Sequence, residues 1–167
     1  GRESLFRNIG ENGIVENLVL NVKLMNQIED TFNGIVTVNS GIIRNIQVHL
    51  IEATQVPNKE IYLVGKENKG ILENFQINLE TALYGQLIMS AGFYKNSGII
   101  QNGYISGENI KAPYSITTNN RDIGVLSCIN EKTGKIKNVY SLITVEVSGE
   151  NKSRETIGNI VVLNQDA

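Results

Sequence analysis

A Gly-x-apolar-polar-Asn pattern occurs five times in this chain. The copies are Gly13-Ile14-Val15-Glu16-Asn17, Gly41-Ile42-Ile43-Arg44-Asn45, Gly70-Ile71-Leu72-Glu73-Asn74, Gly98-Ile99-Ile100-Gln101-Asn102 and Gly134-Lys135-Ile136-Lys137-Asn138. Their glycines lie 28, 29, 28 and 36 residues apart. A near-constant period of this size points to a solenoid, in which each repeat is one layer that buries its apolar face only against its neighbours.

The residues after each motif alternate. Leu18, Leu20, Val22 and Leu24 are separated by Val19, Asn21 and Lys23, and Ile46, Val48 and Leu50 by Gln47 and His49. Phe75, Ile77 and Leu79 are separated by Gln76 and Asn78. A period of two with Ile, Val and Leu dominant reads as strands with one face buried.

The motif breaks that alternation. Ile43 and Ile46 both read as inward although three residues apart, as do Val15 and Leu18, Leu72 and Phe75, and Ile136 and Val139. A one-residue slip reverses a strand's facing, so the chain must bend at the intervening Asn. Asn tolerates the left-handed region, and Asn amides stacked layer on layer would bond along the axis as a ladder. Each motif glycine follows a polar turn, such as Asn39-Ser40, Asn68-Lys69 or Asn96-Ser97, and is expected to supply a positive φ there.

Each layer therefore reads as a short apolar strand, a turn, the motif and a longer strand. The fold class expected is all-β, a parallel β-solenoid of about five to six coils with a repeat near 28 residues. At about 4.8 Å per layer it would stack to roughly 25–30 Å. A twisted β-sandwich of irregular hairpins would not need a constant motif order. Val15, Ile43, Leu72, Ile100 and Ile136 are expected in one buried column.

The 167 residues suit one domain, read as a single β-solenoid over 1–167 excised from a longer protein, because the repeat is already running at Leu5-Phe6 and breaks off in Ile160–Leu163. A net charge of −2 and the lack of a basic patch argue against a nucleic-acid partner. There is no run of about 18 apolar residues, so no membrane span is expected. The 22 asparagines suit the turns and bends of a repeat protein. Cys128 has no partner for an intrachain disulfide and, beside Val125-Leu126, reads as a small buried hydrophobe.

The period is interrupted at Gln55–Glu60 and at Lys111–Asp122. The second insertion carries Pro113, Tyr114 and Arg121, and Tyr and Arg are frequent interface anchors. Tyr114 and Arg121 are thus the candidate ligand contacts.

The residues for catalysis are scarce. One His, one Cys and three Asp supply neither a zinc set nor a carboxylate cluster. His49 sits at an outward strand position, and no serine lies in a nucleophile elbow. Glu16, Arg44 and Glu73 share one motif position and read as a surface charge ladder. The segment is expected to be no enzyme, with no metal and no cofactor.

At the motif level the chain resembles the GLUG-type repeats of Gram-positive surface proteins. The residues that carry this are Leu5-Phe6-Arg7-Asn8-Ile9 with Gly13–Leu18, and Gly124-Val125-Leu126 with Gly134–Val139. Within that group it is most similar to the non-catalytic N-terminal or middle region of the streptococcal IgA1 protease family of zinc metalloproteases. That family's HExxH segment has no match here, so no catalytic residue carries over. The resemblance implies a secreted, cell-wall-associated parent in which this piece is a spacer or a docking exosite for a host glycoprotein such as immunoglobulin A1. The alternative is an adhesin or carbohydrate-binding solenoid with no protease attached.

Overall fold

The computed structural model describes residues 4–25, 31–54, 60–84, 88–113, 121–148, 155–158 and 160–164, and side chains within 4–25, 31–54, 60–84, 88–111, 122–146 and at 160. The described residues form strands and connections and no helix. Every strand pairing among them is parallel. The fold is an all-β parallel β-solenoid.

Four sheets make its walls. A short-strand sheet stacks Phe6–Ile9, Val36–Asn39, Gly65–Asn68, Phe93–Asn96, Ser127–Asn130 and Val161–Asn164 in that order. A long-strand sheet stacks Ile42–Ala53, Ile71–Leu79, Ile99–Gly107 and Lys135–Ser141, with Ile14–Glu16 and Val19–Leu24 both pairing to Ile42–Ala53. A third sheet holds Thr31–Phe32, Glu60–Tyr62, Ile88–Ser90, Arg121–Gly124 and Glu155–Gly158. The smallest holds Leu83–Tyr84, Ile110–Pro113 and Val145–Ser148. The chain passes from short strand to long strand, through the third sheet, and back to the next short strand. The apolar runs Leu63-Val64 and Val125-Leu126 are the corners between the third and short-strand sheets, rather than parts of one strand.

The core is a set of in-register columns. Val15, Ile43, Leu72, Ile100 and Ile136 face one another in successive layers. Ile43, Leu72 and Ile100 are fully buried, while Val15 and Ile136, at the ends of the column, are half-buried. A second column runs Ile46, Phe75, Gly103, Val139. A Cβ built on Gly103 would lie 2.3 Å from the Phe75 ring, so the phenyl occupies the space that Gly103 leaves open. Large against small across adjacent layers keeps the interior at close-packed density.

The motif asparagines take the left-handed conformation in every layer. Asn17, Asn45, Asn74, Asn102 and Asn138 have φ between 51° and 57°. A single left-handed residue inside an extended strand changes the parity of facing, which lets Ile43 and Ile46 both point inward.

The motif glycines correct the sequence reading. The positive-φ glycines among the described residues are Gly34 and Gly107, and none of Gly13, Gly41, Gly70, Gly98 and Gly134 is left-handed. Their need is close approach. A Cβ on Gly41 would fall 2.2 Å from the Gly13 carbonyl oxygen, on Gly70 2.0 Å from that of Gly41, and on Gly98 2.1 Å from that of Gly70. Each backbone passes directly over the glycine of the layer before, and the carbonyls of Gly13, Gly41, Gly70 and Gly98 accept from the amides of Ile42, Ile71, Ile99 and Lys135. Glycine is required by stacking, not by turn handedness.

Candidate ligand-binding face

The bend at each motif Asn shapes the outer face of the long-strand sheet. Asn45, Asn74 and Asn102 are exposed, and the residues two further on, Gln47, Gln76 and Tyr104, also face outward. The residue between each pair is buried, as Ile46, Phe75 or Gly103. Two outward columns therefore flank a recessed line of core residues. The result is a shallow open groove along the solenoid axis, spanning three layers and about 380 Å³.

One wall is a ladder of amides. Asn45 Nδ2 donates to Asn17 Oδ1 at 3.4 Å, Asn74 Nδ2 to Asn45 Oδ1 at 3.3 Å, and Asn138 Nδ2 to Asn102 Oδ1 at 3.2 Å. These are long bonds in contact with water. A carboxamide has two N–H donors and two acceptor lone pairs, so such a ladder leaves capacity for a ligand.

A second, buried ladder shows the contrast. Asn39, Asn68, Asn96 and Asn130 end the short strands, and their amides point into the interior. Asn39 Nδ2 donates to Asn68 Oδ1 at 2.8 Å, Asn68 Nδ2 to Asn96 Oδ1 at 2.8 Å, and Asn96 Nδ2 to Asn130 Oδ1 at 2.7 Å. Further contacts at 3.3–3.4 Å reach the carbonyls of Ile71, Gly70, Ile99 and Gly98. The column stops at Ile9, which faces Asn39 in the first layer. Buried and bonded from layer to layer, this ladder holds the layers together, whereas the other is open to solvent.

The other wall of the groove becomes aromatic. Gln47, Gln76, Tyr104 and Tyr140 are in register along one column. The rings of Tyr104 and Tyr140 stack with centroids 5.4 Å apart and planes 9° from parallel. Tyr140 is 55% exposed. The groove lining thus combines amides with the Tyr104 phenol and ring surface, with no carboxylate or cation, and Tyr140 continues the column in the next layer.

Arg44, Glu73 and His49 beside the groove are paired, while Lys137, in register with Gln101, stands exposed in the Tyr140 layer. Arg44 Nε donates to Glu16 Oε2 at 2.7 Å, and Gln101 Nε2 to Glu73 Oε2 at 2.9 Å, so the shared motif position forms two separate pairs rather than one Glu16–Arg44–Glu73 charge ladder. His49 lies between Glu80 Oε1, 3.1 Å from Nδ1, and Gln47 Oε1, 3.4 Å from Nε2. Pairs this exposed contribute about 0–1 kcal/mol each.

Of the residues that the sequence pattern offers for binding, Tyr114 lies outside the described residues. Arg121 begins the strand Arg121–Gly124, in register with Glu155, and its side chain is not among those described. Cys128 is buried, with Sγ 3.4 Å from the carbonyl oxygens of both Met89 and Asp122, and burial pushes its thiol up to about 12. Among the described residues no group of three His, Cys, Asp or Glu side chains is placed to hold a metal ion, and no helix is long and apolar enough to cross a membrane.

Gln47, Gln76, Tyr104 and Tyr140 lie outside the Gly-to-Asn motif, yet a signal for them exists. Each is the second residue after a motif Asn, so aligning the repeats on that Asn brings them into one column. Asn130 is harder to place from sequence, because the insertion before the fifth motif puts it four residues before Gly134, where the other layers have two. Comparison with protein-family models, with curated proteins and with solved structures gives no match for this chain.

Proposed function

We propose that this chain is a non-catalytic β-solenoid, of five to six coils with a repeat near 28 residues, that docks a glycan-bearing partner on the outer face of its long-strand sheet. The observation that carries this reading is the groove between the Asn45–Asn74–Asn102 column and the Gln47–Gln76–Tyr104 column. It is open and shallow, unlike the enclosed clefts that bury most of a small ligand, and it repeats from layer to layer. Such a surface suits an extended ligand held by many weak contacts. The Cys128 thiol, buried and held protonated, supports a non-catalytic role.

The repeat resemblance extends the proposal. In a secreted or wall-associated zinc metalloprotease of the IgA1 protease type, this solenoid serves as spacer or docking exosite, presenting a host glycoprotein to a catalytic domain elsewhere in the chain. Without such a domain the same face serves an adhesin. The test is binding of the purified chain to immobilised immunoglobulin A1 and a panel of other serum glycoproteins. Saturable binding, weakened by the groove substitution Gln76→Arg, is expected. No binding to any of them, or binding indifferent to that substitution, overturns the docking face.

A further inference from the structure

Resting on the reading of this groove as the docking surface, we infer that its ligand is a neutral glycan lying along the solenoid axis, with sugar hydroxyls on the amide columns and a pyranose ring against the Tyr104–Tyr140 pair.

Four features of the groove converge on that chemistry. The first is charge. The lining carries no carboxylate, ammonium or guanidinium; Arg44 beside it is engaged by Glu16 at 2.7 Å, and Lys137 lies outside the lining, in the Tyr140 layer. An anionic polymer would meet no free cation within the groove, and its desolvated charges would go uncompensated.

The second is hydrogen-bonding type. Asn45, Asn74, Asn102, Gln47 and Gln76 offer donor and acceptor side by side on each amide, which matches vicinal hydroxyls that both donate and accept. Backbone geometry explains the asparagines, since each is left-handed. It does not explain Gln47 and Gln76, whose positions in an extended strand accept almost any polar residue.

The third is the aromatic pair. Tyr104 and Tyr140 stack nearly parallel on the outer face of the sheet, Tyr140 on the last strand of that sheet among the described residues. An exposed ring with a polar tip offers an apolar surface to the C–H face of a sugar and a hydroxyl to its rim. The fourth is the repeat itself. Layers about 4.8 Å apart present the same amides again and again, close to the length of one pyranose unit in an extended chain. A peptide would instead need a free strand edge to pair with, because a sheet face has its backbone groups already bonded.

The experiment is affinity electrophoresis of the folded chain through gels containing mannan, dextran, mixed-linkage β-glucan or polygalacturonate, beside the variants Tyr140→Ala and Gln76→Ala. Both side chains lie on the surface, and circular dichroism melting checks that each variant keeps the fold. The expected result is retardation by at least one neutral polymer, unchanged by added salt. Each variant should lower the apparent affinity about tenfold, the equivalent of 1.4 kcal/mol. Migration unaffected by all the neutral polymers, or retardation by both variants equal to that of the parent chain, overturns the inference. So does retardation by polygalacturonate alone that salt abolishes. A parallel binding measurement on a serum glycoprotein before and after enzymatic removal of its glycans separates the two levels of the proposal. Binding that survives deglycosylation but falls in Gln76→Arg keeps the docking face and overturns the glycan. Binding lost on deglycosylation supports both.

Discussion

Asn68 donates from Nδ2 to Asn96 Oδ1 at 2.8 Å, with both side chains wholly removed from solvent. In the same row Asn68 Oδ1 accepts from Asn39. One amide thus satisfies a partner in the layer on either side. A buried amide without a partner costs about 1–3 kcal/mol, so the ladder is tolerated only while it is continuous.

The first prediction follows from that continuity. Asn68→Ala removes the acceptor of Asn39 and the donor to Asn96, orphaning Asn96 Oδ1 and leaving Asn39 Nδ2 with only its 3.3 Å contact to the Ile71 carbonyl. The orphan is expected to cost about 1–3 kcal/mol, read as a lowered denaturant midpoint. Ile9 marks the end of the column, facing Asn39. Ile9→Ala should therefore act only as an apolar truncation and leave the ladder bonds intact.

The exposed asparagines should respond by a different rule. Asn74 has a φ of 52°, and its ladder bond to Asn45 is 3.3 Å long and solvent-exposed. Asn74→Ala forces a Cβ-bearing residue without a local hydrogen bond into the left-handed region, costing roughly 1–2 kcal/mol. Asn74→Gly fits that φ and should change stability by less than the alanine variant. Equal losses for the two would show that the amide, not the backbone angle, is what this position requires.

Glycine substitution should divide sharply by location. A Cβ on Gly70 would sit 2.0 Å from the Gly41 carbonyl oxygen, which is backbone and fixed by its bond to the Ile71 amide. Gly70→Ala must push two layers apart, a larger strain than the roughly 1–3 kcal/mol of ordinary overpacking. The expected readout is loss of the cooperative thermal transition or of soluble protein. A Cβ on Gly10 would meet nothing within 4 Å, so Gly10→Ala should melt close to the parent.

The last prediction concerns alkaline pH. Burial pushes the Cys128 thiol up to about 12, and burial followed by the Glu60 carboxylate raises the Tyr62 phenol as well. Both groups are neutral when protonated, and their folded-state pKa values lie above the unfolded ones. Their contribution is full below the ordinary thiol value of 9.0. It falls as pH rises above that, because the unfolded chain releases protons that the folded chain retains. Stability measured by urea unfolding should therefore decline between pH 9 and pH 12, the range bounded by the ordinary and shifted thiol values. In Cys128→Ala the decline should be shallower. The native thiol should also resist a disulfide reagent at about pH 8, below its ordinary pKa, and react once the chain is unfolded in urea.

Much of this was legible in the residues. The period, the strand alternation and the five motif asparagines define a parallel β-solenoid, and the parity break from Ile43 to Ile46 identifies where the strand bends. These are local properties, because left-handed φ and the facing of side chains depend on a residue and its immediate neighbours. What only the tertiary structure decided is what passes over what. The motif glycines look like turn residues in one dimension, yet Gly41 is needed because the Gly13 carbonyl lies against it. Asn39 and Asn68 look like polar turn residues, yet their amides are buried and bonded across 29 residues of sequence. Gln76 and Tyr104 look like ordinary surface positions until register places them side by side beside the Asn74–Asn102 column. Contact between layers depends on register and on the path of the whole coil, and no local propensity encodes it.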